Sequence, residues 1–524
     1  MNKPRNIIAC LGLFSLFFAA CAPPGGSPPA GSWPKRLGGS STDSGNAVTR
    51  DAAGNIYIVG TVALNADLDG DGTIEAGNPE AGLPPYGAYD VFVSKFNSSG
   101  LHVWTKRLGG GFLDDGFGVA ADAGGNVYVT GTVNGDADLS GDGLVTAGLP
   151  ETAGSPYGGD DGFLVKFSGA GAFIWAKRLG GGNTDQGGAV VSDGSNVFVT
   201  GKVNGNADLD GDQSVAAGLP ETVTGTYAGD DVFLAKFNAT GTAQWTVRLG
   251  GTGIDAGTFV AAAAGGNVAV TGLIEGSADL DGDGAVTGGL PESVTGTYGN
   301  ADIFLSVFDN ATGAVQWTER LGGTGADTGR GVAIASSGKV VVTGYVNGNA
   351  DLDGDGAVTV GAPETPNATY GGEDIVLASF TGLGAADWSV RLGGTANDQG
   401  AGVFTDVGGN VFLTGFVQGS ADLDGDGAVA GTAPETPLGI HGLSDIALTE
   451  FDTDGLPLWT ARLGGPNDDQ GRSIASANGK VIVAGTVQLD ADLDGDGSIT
   501  PSLPETVAGV YGGGDAFVTS LTVP

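Results

Sequence analysis

Residues 104–132 read WTKRLGGGFLDDGFGVAADAGGNVYVTGT, and the fold turns on how often this stretch returns. Its tryptophan belongs to a register of seven: Trp33, Trp104, Trp175, Trp245, Trp317, Trp388 and Trp459. Successive spacings are 71, 71, 70, 72, 71 and 71 residues, and no other tryptophan occurs in the 524-residue chain. Three residues after each comes Arg-Leu-Gly-Gly, starting at Arg36, Arg107, Arg178, Arg248, Arg320, Arg391 and Arg462. A repeat of this length is one supersecondary unit that buries its apolar face only against copies of itself.

One repeat holds four strand-like segments. Residues 118–121 run to the Gly124-Gly125-Asn126 turn and residues 127–130 follow; a long acidic loop then leads to residues 162–167 and 172–178. Each is short, rich in β-branched or aromatic residues, and bounded by Gly, Asn or Asp. Four strands make one blade, so residues 32–524 are predicted to form a single all-β, seven-bladed β-propeller with four antiparallel strands per blade. The ends carry a phase offset. The repeats open on a lone fourth strand, residues 33–37, and stop after a third strand, residues 517–521. The count balances only if the N-terminal strand completes the last blade, which also removes an open sheet edge. Composition agrees: 101 glycines favour tight turns, and 22 Phe, 10 Tyr and 7 Trp supply a core.

Arg-Leu-Gly-Gly-x-x-x-Asp-x-Gly followed by Gly-Asn-Val-Tyr-Val-Thr-Gly resembles the seven-bladed β-propeller (SBBP) repeat family of bacterial secreted proteins. The resemblance implies the fold and an extracytoplasmic location, and no activity.

Between the second and third strands every repeat carries an acidic loop. The first reads Asp67-Leu68-Asp69-Gly70-Asp71-Gly72-Thr73-Ile74, with Glu80 at position 14. Its counterparts place Asp138, Ser140, Asp142 and Glu151; Asp208, Asp210, Asp212 and Glu221; and Asp279, Asp281, Asp283 and Glu292 at positions 1, 3, 5 and 14. The last three place Asp351, Asp353, Asp355 and Glu364; Asp422, Asp424, Asp426 and Glu435; and Asp492, Asp494, Asp496 and Glu505 there. Carboxylates at positions 1, 3 and 5 converge only if the chain curls tightly, which glycine at position 6 permits. The pattern resembles the first part of an EF-hand calcium loop, with the closing Glu at position 14 instead of 12. Crowded carboxylates repel unless a cation neutralises them, and hard oxygen donors on a flexible loop favour calcium. About seven calcium ions, one per blade, are therefore expected, with affinities of about 10⁻⁴ to 10⁻³ M. The apolar residue at position 8, such as Ile74, is expected to pin the loop. Ser140 at position 3 and Gln213 at position 6 mark the second and third sites as the weakest.

Two more aspartates recur, one seven residues after each repeated Arg (Asp43 to Asp469) and one opening each third strand (Asp90 to Asp515). Recurrence in every blade points to turn capping and pairing with the repeated Arg, since a single active site needs one special blade. The tryptophans read as blade packing by the same reasoning. Only two histidines are present, His102 and His441, which rules out repeated zinc sites. Both cysteines, Cys10 and Cys21, precede residue 22, so the rest of the chain holds no disulfide.

At the N-terminus, Lys3 and Arg5 precede an apolar run from Ile7 to Ala20, the layout of a secretory signal. Phe18-Ala19-Ala20-Cys21 resembles a bacterial lipobox, which implies a lipoprotein signal over residues 1–20 and lipidation of Cys21; Ala22 after it implies outer-membrane sorting. Residues 21–31 then form a flexible tether. A net charge of −39 argues against nucleic-acid partners and against membrane contact other than through the anchor. The reading is a monomeric, cell-surface or outer-membrane calcium-binding module that binds or scaffolds a protein or polysaccharide and is not an enzyme. Alternatives are a polysaccharide lyase or hydrolase using the face or channel, and a purely structural envelope protein.

Overall fold

The computed structural model describes residues 33–522 apart from positions 78, 149, 224, 295, 296, 362, 438, 478, 503 and 508. The signal, the tether and Cys21 lie outside the described residues. Blade 1 is built from Ser44–Arg50, Ile56–Ala63, Tyr89–Phe96 and His102–Gly110, each antiparallel to the next. Six further blades repeat the pattern, giving an all-β seven-bladed propeller. First strands of adjacent blades pack side by side around the axis, and fourth strands lie outermost.

The ring closes as the phase offset requires. Trp33–Gly39 pairs antiparallel with Gly514–Thr522, Trp33 opposite Ser520 and Leu37 opposite Ala516, so the N-terminal strand is the outer strand of blade 7. It runs two residues beyond the expected residue 37, because Gly38 and Gly39 bind a further short strand, Ala66–Asp67. The same two-residue strand opens every acidic loop and joins the sheet of the preceding blade; in the seventh loop it shortens to a single bridge between Gly464 and Asp492.

Second and third strands are buried along nearly their whole length, because each blade is sandwiched between two others. Alternate side chains therefore meet different neighbours, both apolar. One core cluster joins Tyr57, Val59, Val91 and Val93 of blade 1 to Val127, Val129, Phe163 and Phe167 of blade 2. Each such side chain contributes about 1.5–3 kcal/mol by leaving water. The tryptophans staple these seams at the rim: Trp104 Nε1 donates to the Gly169 carbonyl of the next blade at 3.2 Å, as Trp175 does to Ala239 and Trp317 to Gly382.

The repeated Arg and Asp are buried ion pairs. Arg178 Nη1 donates to Asp161 Oδ2 at 2.9 Å, and equivalent pairs join Arg36 to Asp515, Arg107 to Asp90, Arg248 to Asp231, Arg320 to Asp302, Arg391 to Asp374 and Arg462 to Asp445. The other recurring Asp caps the turn into the first strand: Asp114 accepts the Gly110 and Asn134 amides at 2.6 and 2.9 Å. Every first strand also carries a β-bulge near its start, which in blade 1 leaves Asn46 without an opposite residue.

Candidate metal centres

The pairing of Gly38 with Asp67 puts the acidic loops on the face where each fourth strand turns into the next first strand. The loop is shaped from its first residue. Asp67 is buried; its Oδ1 accepts the Asp69 and Gly70 amides at 3.2 and 2.6 Å, and its Oδ2 accepts Gly72 at 2.7 Å. Gly70 and Gly72 have φ of 69° and 92°, the left-handed region that turns those amides inward and favours glycine. The position-1 aspartates of the other six loops accept the same pair of amides.

Position 14 is a clasp. Glu80 Oε1 accepts the Leu68 amide at 2.9 Å and Oε2 accepts the Glu75 amide at 3.0 Å, tying positions 2 and 9 together. Glu151, Glu221, Glu292, Glu364, Glu435 and Glu505 hold the corresponding amides. Anchoring falls to position 2 rather than position 8. Leu68 and its six counterparts are fully buried, whereas Ile74 is half-buried and Val286 exposed.

The loops bring acidic oxygens together. One oxygen each from Asp67, Asp69 and Asp71 lies within 4.8 Å of the others, as do oxygens of Asp69, Glu75 and Glu80, of Asp208, Asp210 and Asp212, of Asp279, Asp281 and Glu292, and of Asp351, Asp353 and Asp355. Such groups can hold a metal ion. Their electrostatics fit one: burial pushes Asp281 up to about 6, with Glu292, Asp279 and Asp283 adding to the rise and the Asp283 amide opposing it. Burial, then Glu75, pushes Glu80 up to about 8. A hard divalent cation would reverse these shifts, and all-oxygen donor sets suit calcium or magnesium.

The two irregular loops keep their shape. Ser140 Oγ donates to Asp138 Oδ1 at 3.1 Å, so the second loop has one carboxylate fewer. Gln213 takes a φ of 77° to deliver its amide to Asp208 Oδ2 at 2.7 Å.

A role hidden in sequence belongs to the tyrosine that stands three residues before six of the seven third strands. The Tyr227 hydroxyl is a shared donor to Asp279 Oδ2, at 2.6 Å in the next blade's loop, and to the Arg248 carbonyl at 3.1 Å. Tyr86, Tyr157, Tyr298, Tyr370 and Tyr511 make the same link. Each loop is thus locked to the preceding blade. Where His441 replaces this tyrosine, its Nδ1 lies 3.1 Å from Asp445 Oδ1, and among the described residues no tyrosine reaches Asp492. Burial pushes Asp492 up to about 7, against about 6 for the tyrosine-bonded Asp351. His102 Nε2 sits 2.9 Å from Thr105 Oγ1, and its Nδ1 3.8 Å from Asp69 Oδ2.

Residues 33–61 match a family model described as SBBP, beta-propeller repeat. The chain is 22% identical over 521 residues to an uncharacterized WD repeat-containing protein of Acanthamoeba polyphaga mimivirus, covering 87% of this chain and 36% of that protein. It is 29% identical over 317 residues to the regulatory protein FlaEY of Caulobacter vibrioides, covering 58% and 29%. The chain therefore spans about a third of the length of these relatives. Similar solved structures include the phage phi92 endosialidase (TM-score 0.37, 8% identity, 94% of this chain and 69% of that one). A europium-containing methanol dehydrogenase is another (TM-score 0.33, 11% identity, 93% of each chain). Likenesses this distant carry no argument about activity.

Proposed function

We propose that this seven-bladed β-propeller, which carries an SBBP repeat at residues 33–61, is a calcium-loaded binding or scaffold module held outside the cytoplasm by a lipid anchor at Cys21. The observation that carries the reading is the repetition of one cradled acidic loop in all seven blades, on one face. Asp at positions 1, 3 and 5, with Glu at position 14, would hold the ion in each loop, and Ser140 would do so at position 3 of the second. The bound ions would neutralise the face and stiffen it as a docking surface for a protein or polysaccharide. Binding is favoured over catalysis because the acidic elements recur in every blade, and because each histidine already sits against a recurring carboxylate or hydroxyl. The names of the weakly similar relatives, a WD repeat-containing protein and a regulatory protein, point the same way.

Calcium titration of chelator-stripped residues 32–524, with a melting curve at each step, tests this. Seven ions per chain are expected. Each site adds about 2.7 kcal/mol at a hundredfold excess over its dissociation constant. With about 1 kcal/mol per kelvin of unfolding entropy for a domain this size, the rise in Tm approaches about 19 °C. Negligible binding with an unchanged melt removes the calcium reading.

A further inference from the structure

Elements that recur in all seven blades describe the scaffold; the central channel is where the blades differ. The β-bulge of each first strand sets one extra residue at the channel wall, and bulges of this kind re-aim side chains at functional sites. In blades 5 and 7 that residue is an arginine, Arg330 and Arg472. The blade between them carries Ala401 there, too short to fill the gap.

These two arginines differ from the chain's recurring ones. Seven of the eleven arginines are the repeated ones, each with its own buried aspartate, and Lys202 in the channel is held by Asp230 at 2.7 Å. Arg330 and Arg472 have neutral partners. The Arg330 guanidinium lies 5.2 Å from the Tyr345 ring centre, and Arg472 donates to Asn46 Oδ1 at 2.8 Å and Gln470 Oε1 at 3.4 Å. Among the described residues, neither makes an ion pair with a carboxylate. Both side chains are exposed to the water of the channel; the surrounding protein, and then the like charge of Arg330, disfavour the charged form of Arg472. In a protein of net charge −39, two neighbouring guanidinium groups without an anion are conspicuous.

The cavity they line has a volume of about 750 Å³, within the range of small-molecule sites. Its walls also present the half-buried rings of Phe117, Phe259 and Phe416 and the amides of Gln186 and Gln399. Guanidinium forks match carboxylates in plane and charge. Aromatic rings cover the apolar faces of sugar rings, and amides meet their hydroxyls. We infer that the channel binds an acidic saccharide, with a sugar carboxylate seated over Ala401 between Arg330 and Arg472. The inference rests on the reading of the propeller as a binding module and places this ligand in the channel, apart from the acidic face.

Calorimetric titration of the calcium-loaded full chain with tetragalacturonate, its fully methyl-esterified form and inorganic phosphate tests it. The acid should bind and the ester should not. Arg330→Gln and Arg472→Gln should each weaken binding about tenfold or more, and Ala401→Leu should block it by filling the gap. The melting temperature and calcium content of these variants should match the parent, so failure of the calcium reading registers on a separate readout. Equal affinity for the ester, unchanged affinity in the double arginine variant, or no binding of tetragalacturonate overturns the inference. Displacement of the sugar acid by equimolar phosphate also overturns it, marking a site for small inorganic anions.

Discussion

Replacing Arg248 by methionine removes three hydrogen bonds on the outer strand of blade 3, close to the acidic-loop face: Nη1 to Asp231 Oδ2 at 3.1 Å, Nε to the Pro220 carbonyl at 2.9 Å and Nη2 to the Gly205 carbonyl at 2.9 Å. Both side chains of the pair are completely buried. Loss of one partner from a buried pair costs about 3–5 kcal/mol through the uncompensated charge, and the two orphaned carbonyls add about 1 kcal/mol each. The first part depends on pH. Burial pushes Asp231 up to about 7 while the Arg248 charge pulls it down, so without Arg248 its folded pKa rises further. The native state then keeps a proton that the unfolded state releases near the ordinary carboxylate value, and stability falls as pH rises. In the parent this loss ends near pH 7; in the variant it continues. At pH 5.5 Asp231 is protonated in both proteins and only about 2 kcal/mol is lost, whereas at pH 9 the loss reaches about 5–7 kcal/mol. At about 1 kcal/mol per kelvin, scanning calorimetry of calcium-loaded protein should show Tm lowered by about 2 °C at pH 5.5 and about 5–7 °C at pH 9. Adding Asp231→Asn should erase the difference. An equal drop at both pH values, or less than about 1 °C at pH 9, refutes the reasoning.

Gln213→Gly should stabilise the third loop by about 1 kcal/mol, because it relieves a side chain held at φ 77°; guanidinium denaturation of the metal-free protein would register it, and a loss of stability would contradict the strain. Tyr227→Phe removes the hydroxyl bridging two blades and should cost about 1.5–3 kcal/mol. It should also weaken one calcium site of the seven in a calorimetric titration, and an unaltered melt and titration would show the bridge to be dispensable.

The blade count, the strand boundaries and the closing strand are legible from the tryptophan register and its phase, because a period of 71 residues constrains every copy at once. The acidic loops are legible for the same reason. What connects one copy to the next is not. Tyr227 meets Asp279 across 52 positions, and neither residue carries a local signal of the other. The Ala66–Asp67 strand is too short to have a pattern of its own; it exists because Gly38 and Gly39 present a free edge. The apolar character of position 8 marks it in sequence as the anchor, yet Leu68 lies next to a buried aspartate that fixes its direction, and it takes the core. Arg330 and Arg472 escape any reading that looks for what recurs, because their signal is a departure from the repeat.

Pairing of Trp33–Gly39 with Gly514–Thr522 also sets an order in time. A chain delivered N-terminus first presents the strand that fastens the ring before any other, and its partner arrives after six whole blades. Those blades can stack as a growing open arc, but the arc cannot become a disc until the final strand appears. The first strand is thus a latch left undone through synthesis, and premature capture of its free edge by a second copy would yield chains linked strand to strand instead of closed rings.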